Sequence, residues 1–117
     1  GPRIVWARQW VNGCEDAELA DLLYDVVGTS VASQESVVAA FALASRVASG
    51  RLAPFAALCM AASLGGDTDT IAAVLGAMLG ACYGLEHWPS ALIDELKAVN
   101  QLELEPLVQD LLRLRAL

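Results

Sequence analysis

Gly65-Gly66-Asp67-Thr68-Asp69-Thr70, continuing as Ile71-Ala72-Ala73-Val74-Leu75-Gly76-Ala77-Met78-Leu79-Gly80-Ala81-Cys82-Tyr83-Gly84-Leu85, is the stretch whose reading decides the fold. From Thr70 through Leu85 no side chain is charged, and Gly76, Gly80 and Gly84 recur every fourth residue with Ala73, Ala77 and Ala81 beside them. That period belongs to a helix and not to a half-buried strand, whose side chains alternate. A helix that is apolar around its whole circumference is surrounded by protein. The expectation is therefore a helix from about Thr68 to Gly84, the most buried of an all-helical fold. The stripe of small residues reads as close helix packing, because a membrane dimer motif needs a longer apolar stretch.

Outward from this segment the helical pattern continues. Pro54 suits the first turn of a short apolar helix ending near Leu64. Before it, a long helix is expected from Ser33 to about Ser49, with Ser33 as cap, Glu35 near its positive end and Gly50 as its stop. Gly28-Thr29-Ser30 breaks the pattern and reads as a loop. A helix from Glu15 to Val27 is expected to bury Leu19, Leu22, Leu23 and Val26, capped by Asn12 with Glu15 in capping-box position. Its Asp16, Asp21 and Asp25 fall mainly on a solvated face. Ile4 to Val11 reads as the tail of a first helix with Trp6 and Trp10 on one side, as core or interface anchors. Downstream, Pro89 opens a helix to about Val99 and Pro106 opens a last one.

Composition narrows the function classes. The chain of 117 residues is 56% hydrophobic and only 6% aromatic, with a net charge of −7. Its few Lys and Arg residues form no basic cluster, which excludes sequence-blind binding to nucleic acid or to an anionic membrane. Cys14, Cys59 and Cys82 have neither zinc nor disulfide spacing. Cys59 and Cys82 sit in apolar runs and read as small core residues. A reducing, cytoplasmic location is the matching expectation.

The chemistry concentrates in the acidic turn. Asp67 alone is explained as a cap for free backbone N–H groups. Two carboxylates and two hydroxyls at the mouth of an apolar helix exceed what a cap needs, and ionised carboxylates leaving water must be paired, hydrogen-bonded or metal-bound. No Lys or Arg occurs between Arg51 and Lys97 to pair with them. Oxygen-only ligands suit hard cations such as Mg²⁺ or Mn²⁺, so a metal site and an elaborate helix cap are both open readings. Asp67 and Asp69 together neutralise one divalent ion, and a helix N-terminus disfavours a cation. A stable site needs further acidic ligands.

The run Gly65 to Ala72, with Gly76-Ala77 and Gly80-Ala81 after it, resembles the C-terminal metal motif of the ADP-ribosylglycohydrolases, the family of dinitrogenase reductase-activating glycohydrolase. The stretch Val27 to Val37, the pair Trp88-Pro89 and the tail Val99 to Leu102 are similar to that family too, in the same order. The resemblance implies an all-α fold, a compact orthogonal helical bundle of which residues 1–117 form the C-terminal segment. It implies two Mg²⁺ or Mn²⁺ ions, with Asp67, Asp69 and Thr70 as ligands, and a pocket for ADP-ribose lined by Gly28, Thr29, Ser30 and Gly66. The implied reaction is hydrolysis of the glycosidic bond from ADP-ribose to a protein side chain or small acceptor. Beyond the metal ligands no catalytic residue is assigned. Val38 departs from the family pattern, standing where many relatives have Pro. The family's N-terminal Thr-Asp-Asp motif does not occur in this chain. The expected partner is therefore the N-terminal portion of the same enzyme, without which the segment is inactive. The alternative is a non-catalytic relative on the same fold, as the lens crystallins of this family exemplify.

Overall fold

The structure, a computed structural model, describes residues 1–115. Every regular element among the described residues is helical, as expected, and they fall into two compact units, Gly1–His87 and Trp88 onward.

In the first unit α1 (Pro2–Gly13) is followed by a 3₁₀ turn (Asp16–Glu18), a short α2 (Leu19–Asp21) and a π-helical turn (Leu22–Val27). Then come α3 (Ser33–Ala48), α4 (Pro54–Ser63) and α5 (Thr68–Tyr83). The hub is α3, which packs against α1, α4, α5 and the π turn. It carries eight buried residues, from Ser36 to Val47. Its neighbours each present one narrow stripe at a spacing of four: Ala7 and Val11, Ala57 and Ala61, and Ile71, Leu75 and Leu79. Ala at many of these positions lets the axes approach closely, and each fully buried Leu or Ile contributes about 1.5–3 kcal/mol.

Several expectations need correction. The most buried helix is α3 and not α5, whose Ala73, Ala77, Ala81 and Cys82 are exposed. Within the first unit only α3 and α4 pack closely on α5, so there its apolar circumference is covered on one side alone. Cys59 and Cys82 are likewise exposed. Trp10 is half exposed, and its ring lies 6.2 Å from that of Trp6. The expected helix from Glu15 to Val27 changes pitch twice. Leu19, Leu23 and Val27 are buried, whereas the π turn swings Val26 out to solvent. Ser33 begins α3 after Ala32, without capping it.

Asn12 lies inside α1 and caps nothing; its Nδ2 donates to Ser45 Oγ at 3.0 Å. The C-terminal end of α1 is held instead by two arginines. Arg51 donates to the Asn12 carbonyl, and Arg46 to the Val11 carbonyl at 2.6 Å. Cations are favoured at this end of a helix. Arg46 is the largest fully buried side chain, and it also pairs with Asp16, which is therefore more than a solvated face. Replacing Arg46 with Met keeps much of the volume but leaves the Val11 carbonyl only the weak Cys14 Sγ donor at 3.3 Å. Urea unfolding of the Arg46→Met chain should show a loss of about 1–3 kcal/mol. A loss below the error of the measurement would mean that the α1 terminus does not depend on this contact.

The second unit holds α6 (Ser90–Asn100) and α7 (Glu105–Arg115). Gln101, at a left-handed φ of 52°, ends α6, with Leu102 N–H donating to the Lys97 carbonyl and Gln101 N–H to that of Ala98. This pair of bonds is the Schellman arrangement. Lys97 and Glu105 form an ion pair at 2.5 Å.

Candidate functional site

The acidic turn takes its shape from two glycines. Gly65 and Gly66 have φ of 86° and 73°, a backbone region that other residues enter at a cost. Their second role is space. A Cβ on Gly66 would fall 2.3 Å from the Thr29 carbonyl oxygen and 2.5 Å from Thr29 Oγ1. The loop Gly28-Thr29-Ser30 therefore lies directly against the turn, and Asp67 N–H donates to the Thr29 carbonyl at 2.7 Å. Two segments 38 residues apart (67 − 29), singled out separately in the sequence, are joined by one short hydrogen bond. Thr29 is buried, which keeps water from competing for it.

The loop is itself held from behind. Gly28 closes the π turn, its N–H donating to the Leu23 carbonyl at 2.9 Å, and adopts φ 91°. Glu35, in the first turn of α3, accepts the Ser30 N–H on Oε2 at 3.1 Å. Hydrogen bonding from Ser30, side chain first and backbone second, holds the Glu35 carboxyl below its usual range. That interaction is complete above the ordinary Glu titration and is lost as pH falls through the lowered value. Glu35 thus fastens the loop as well as favouring the helix start. Ser30 Oγ also accepts the Ala32 N–H at 3.3 Å, while its own proton goes to the Glu35 carboxyl.

Asp67 stands at the N-cap position of α5, yet its side chain makes no capping hydrogen bond. Its carboxyl lies beside that of Asp69. The Asp69 carboxyl is held below the ordinary range by hydrogen bonding with the Asp67 side chain first, then with the Thr70 and Asp69 backbone. Asp67 and Thr68 are half-buried, and Asp69 and Thr70 are exposed. All the ligand atoms gathered here are oxygens; the Asp67 carboxyl turns to Asp69 and not to the helix end, whereas the Asp69 carboxyl also accepts backbone N–H groups of the first turn. Oxygen atoms of this kind are compatible with a hard divalent cation. They serve as part of a set. Among the described residues no three Asp, Glu, His or Cys side chains converge in a way that would hold a metal.

The sequence reading missed Tyr24. Its ring lies 3.1 Å from the place a Gly65 Cβ would occupy, so it packs on the turn from the side of the π helix. The pitch change that aims it has no composition signal. His87, outside the site, is exposed and lies edge-on to Tyr83, with Nδ1 3.1 Å from the Tyr83 carbonyl. No helix of the described residues is long and apolar enough to cross a membrane.

Comparison with known proteins agrees with the motif. The sequence matches the ADP-ribosylglycohydrolase family over residues 2–117. It is 40% identical over 102 residues to the uncharacterized protein YegU of Escherichia coli (strain K12), a match covering 86% of this chain and 30% of YegU. The chain thus spans under a third of the length of that relative. No solved structure matches it.

Proposed function

The chain belongs to the ADP-ribosylglycohydrolase family, and from that premise we propose that it supplies half of a binuclear Mg²⁺ or Mn²⁺ site that removes ADP-ribose from a protein side chain or small acceptor. The observation that supports the reading best is the contact of the Thr29 carbonyl with Asp67 N–H, which sets the Gly28-Thr29-Ser30 loop against the turn that carries both acids. Asp67, Asp69 and Thr70 would hold the ions through oxygen. When bound, such ions act as Lewis acids on sugar and phosphate oxygens.

The chain's own groups have distinct tasks. Asp67 and Asp69 carry two negative charges, enough for one divalent ion, so the remaining acids come from the N-terminal portion of the enzyme. Gly66, having no side chain, lets the Thr29 backbone lie directly against the turn at the edge of the ligand pocket. Gly28 and Thr29 set the backbone of the pocket wall, and Ser30 is held at its edge by Glu35. The Ser30 N–H is committed to Glu35 and does not serve the ligand. An acidic chain repels a diphosphate until cations are in place, so metal occupancy comes before ADP-ribose binding. The enzyme is read as cytoplasmic, consistent with three free thiols.

Titration of the chain alone with Mn²⁺ should show weak binding, tightened at least about tenfold when the N-terminal portion of its parent enzyme is added. Tight stoichiometric binding by the chain alone would show that the site is not a half. Metal binding without any release of ADP-ribose in the reconstituted protein would favour a non-catalytic relative.

A further inference from the structure

We propose that the open groove between α1, α3 and α5 seats an apolar helix from the part of the longer polypeptide that this chain does not contain, with a carboxylate on that helix meeting Arg8. The groove encloses about 740 Å³ and is lined by Ile4, Phe41, Met78 and Cys82 among others, with Arg8 at its polar side. It lies along the C-terminal half of α5. A 16-residue helix is about 24 Å long, so the groove stands well away from the acidic turn at the other end.

Three observations identify the occupant. First, the exposed side chains of α5 here belong to the run from Thr70 to Leu85, which has no charge on any face, a pattern that protein and not water surrounds. Second, the match with YegU covers 30% of that protein, which leaves the larger share of a full-length relative to provide the cover. Third, Arg8 donates Nε to Ser45 Oγ at 3.2 Å but forms no ion pair among the described residues. A guanidinium beside an apolar groove is complemented by a carboxylate, which it engages with two parallel N–H bonds. Walls made of helices, with small residues Ala44, Ala48 and Ala81 between the larger ones, receive the ridges of another helix. The inference rests on the proposed division of the enzyme into two portions, but not on the metal or the reaction.

Cys82 reports directly on the groove, since it is exposed and lines it. In a Cys14→Ser, Cys59→Ser chain, the rate at which Ellman's reagent labels Cys82 should fall at least about tenfold on adding the rest of the parent polypeptide. Ala81→Glu, at an exposed groove position, should leave the melting temperature of the chain alone unchanged and abolish the protection. Arg8→Glu should weaken it. Unchanged labelling of Cys82 overturns the proposal. Protection that appears when the chain alone is concentrated overturns it in favour of a second copy, and protection by ADP-ribose alone overturns it in favour of a small ligand. Protection without tighter Mn²⁺ binding leaves this docking intact and sinks the metal reading, whereas tighter Mn²⁺ binding without protection sinks the docking alone.

Discussion

Replacing Asp69 with Asn in the reconstituted enzyme is expected to lower release of ADP-ribose by more than about a hundredfold, beyond the loss typical of a group that only supports a metal ligand. The melting temperature measured without metal should hold or rise. Asn keeps the shape of Asp and still accepts the backbone N–H bonds, so the helix start loses little. What disappears is one ligand charge, while the Asn amide can still donate to the Asp67 carboxyl beside it. A pure helix cap predicts the reverse pattern, with near-normal activity, because Asn caps about as well as Asp. Asp67→Ala supplies the contrast. A capping Asp replaced by Ala costs about 0.5–2 kcal/mol. Since the Asp67 side chain makes no capping bond, its loss of stability should fall at the bottom of that range while metal affinity drops. Measuring hydrolysis, Mn²⁺ affinity and metal-free melting on the same proteins separates the readings. Full activity in Asp69→Asn would remove this residue from the site.

Gly66→Ala should be the most damaging single methyl group in the first unit. The left-handed backbone at Gly66 costs Ala about 1–2 kcal/mol. Beyond that, the new Cβ would stand 2.3 Å from the Thr29 carbonyl oxygen, a separation that carbon and oxygen do not tolerate. The turn has to leave the loop, and the buried Thr29 carbonyl loses its donor, at a further cost of about 1–3 kcal/mol. The sum, roughly 2–5 kcal/mol, is a large part of the 5–15 kcal/mol that stabilises a typical domain. Gly50→Ala is the matched control: its φ is also 73°, but a Cβ there meets nothing within 4 Å. Urea melts of the two variants therefore isolate the contact from the backbone strain. If Gly66→Ala loses no more than Gly50→Ala, the loop and the turn are not pressed together. Metal affinity should fall in Gly66→Ala and stay unchanged in Gly50→Ala.

By itself the sequence determined the helical class, the places of α3 to α7 to within a residue or two, and the residues of the acidic turn. Those features are local: period, capping residues, glycine and proline act over a few neighbours, and a short motif carries its own pattern. The family was legible for the same reason, since Gly65 to Ala72 and Val27 to Val37 keep their order and spacing. Tertiary structure decided what depends on partners distant in the chain. It brought Thr29 to Asp67, gave Glu35 the Ser30 N–H to hold, and turned the Asp67 carboxyl from the helix end toward Asp69. It drew Arg46 into the core against Val11 and Asp16, where a sequence pattern would put a charge in water. It also left one side of α5 open, which its uncharged circumference does not announce, because hydrophobicity states that a face is to be covered and only packing states by what. The π turn at Leu22–Val27 belongs with these features: no residue in it forbids an α-helix, and its pitch goes with the burial of Leu23 and Val27 and with the approach of Tyr24 to Gly65.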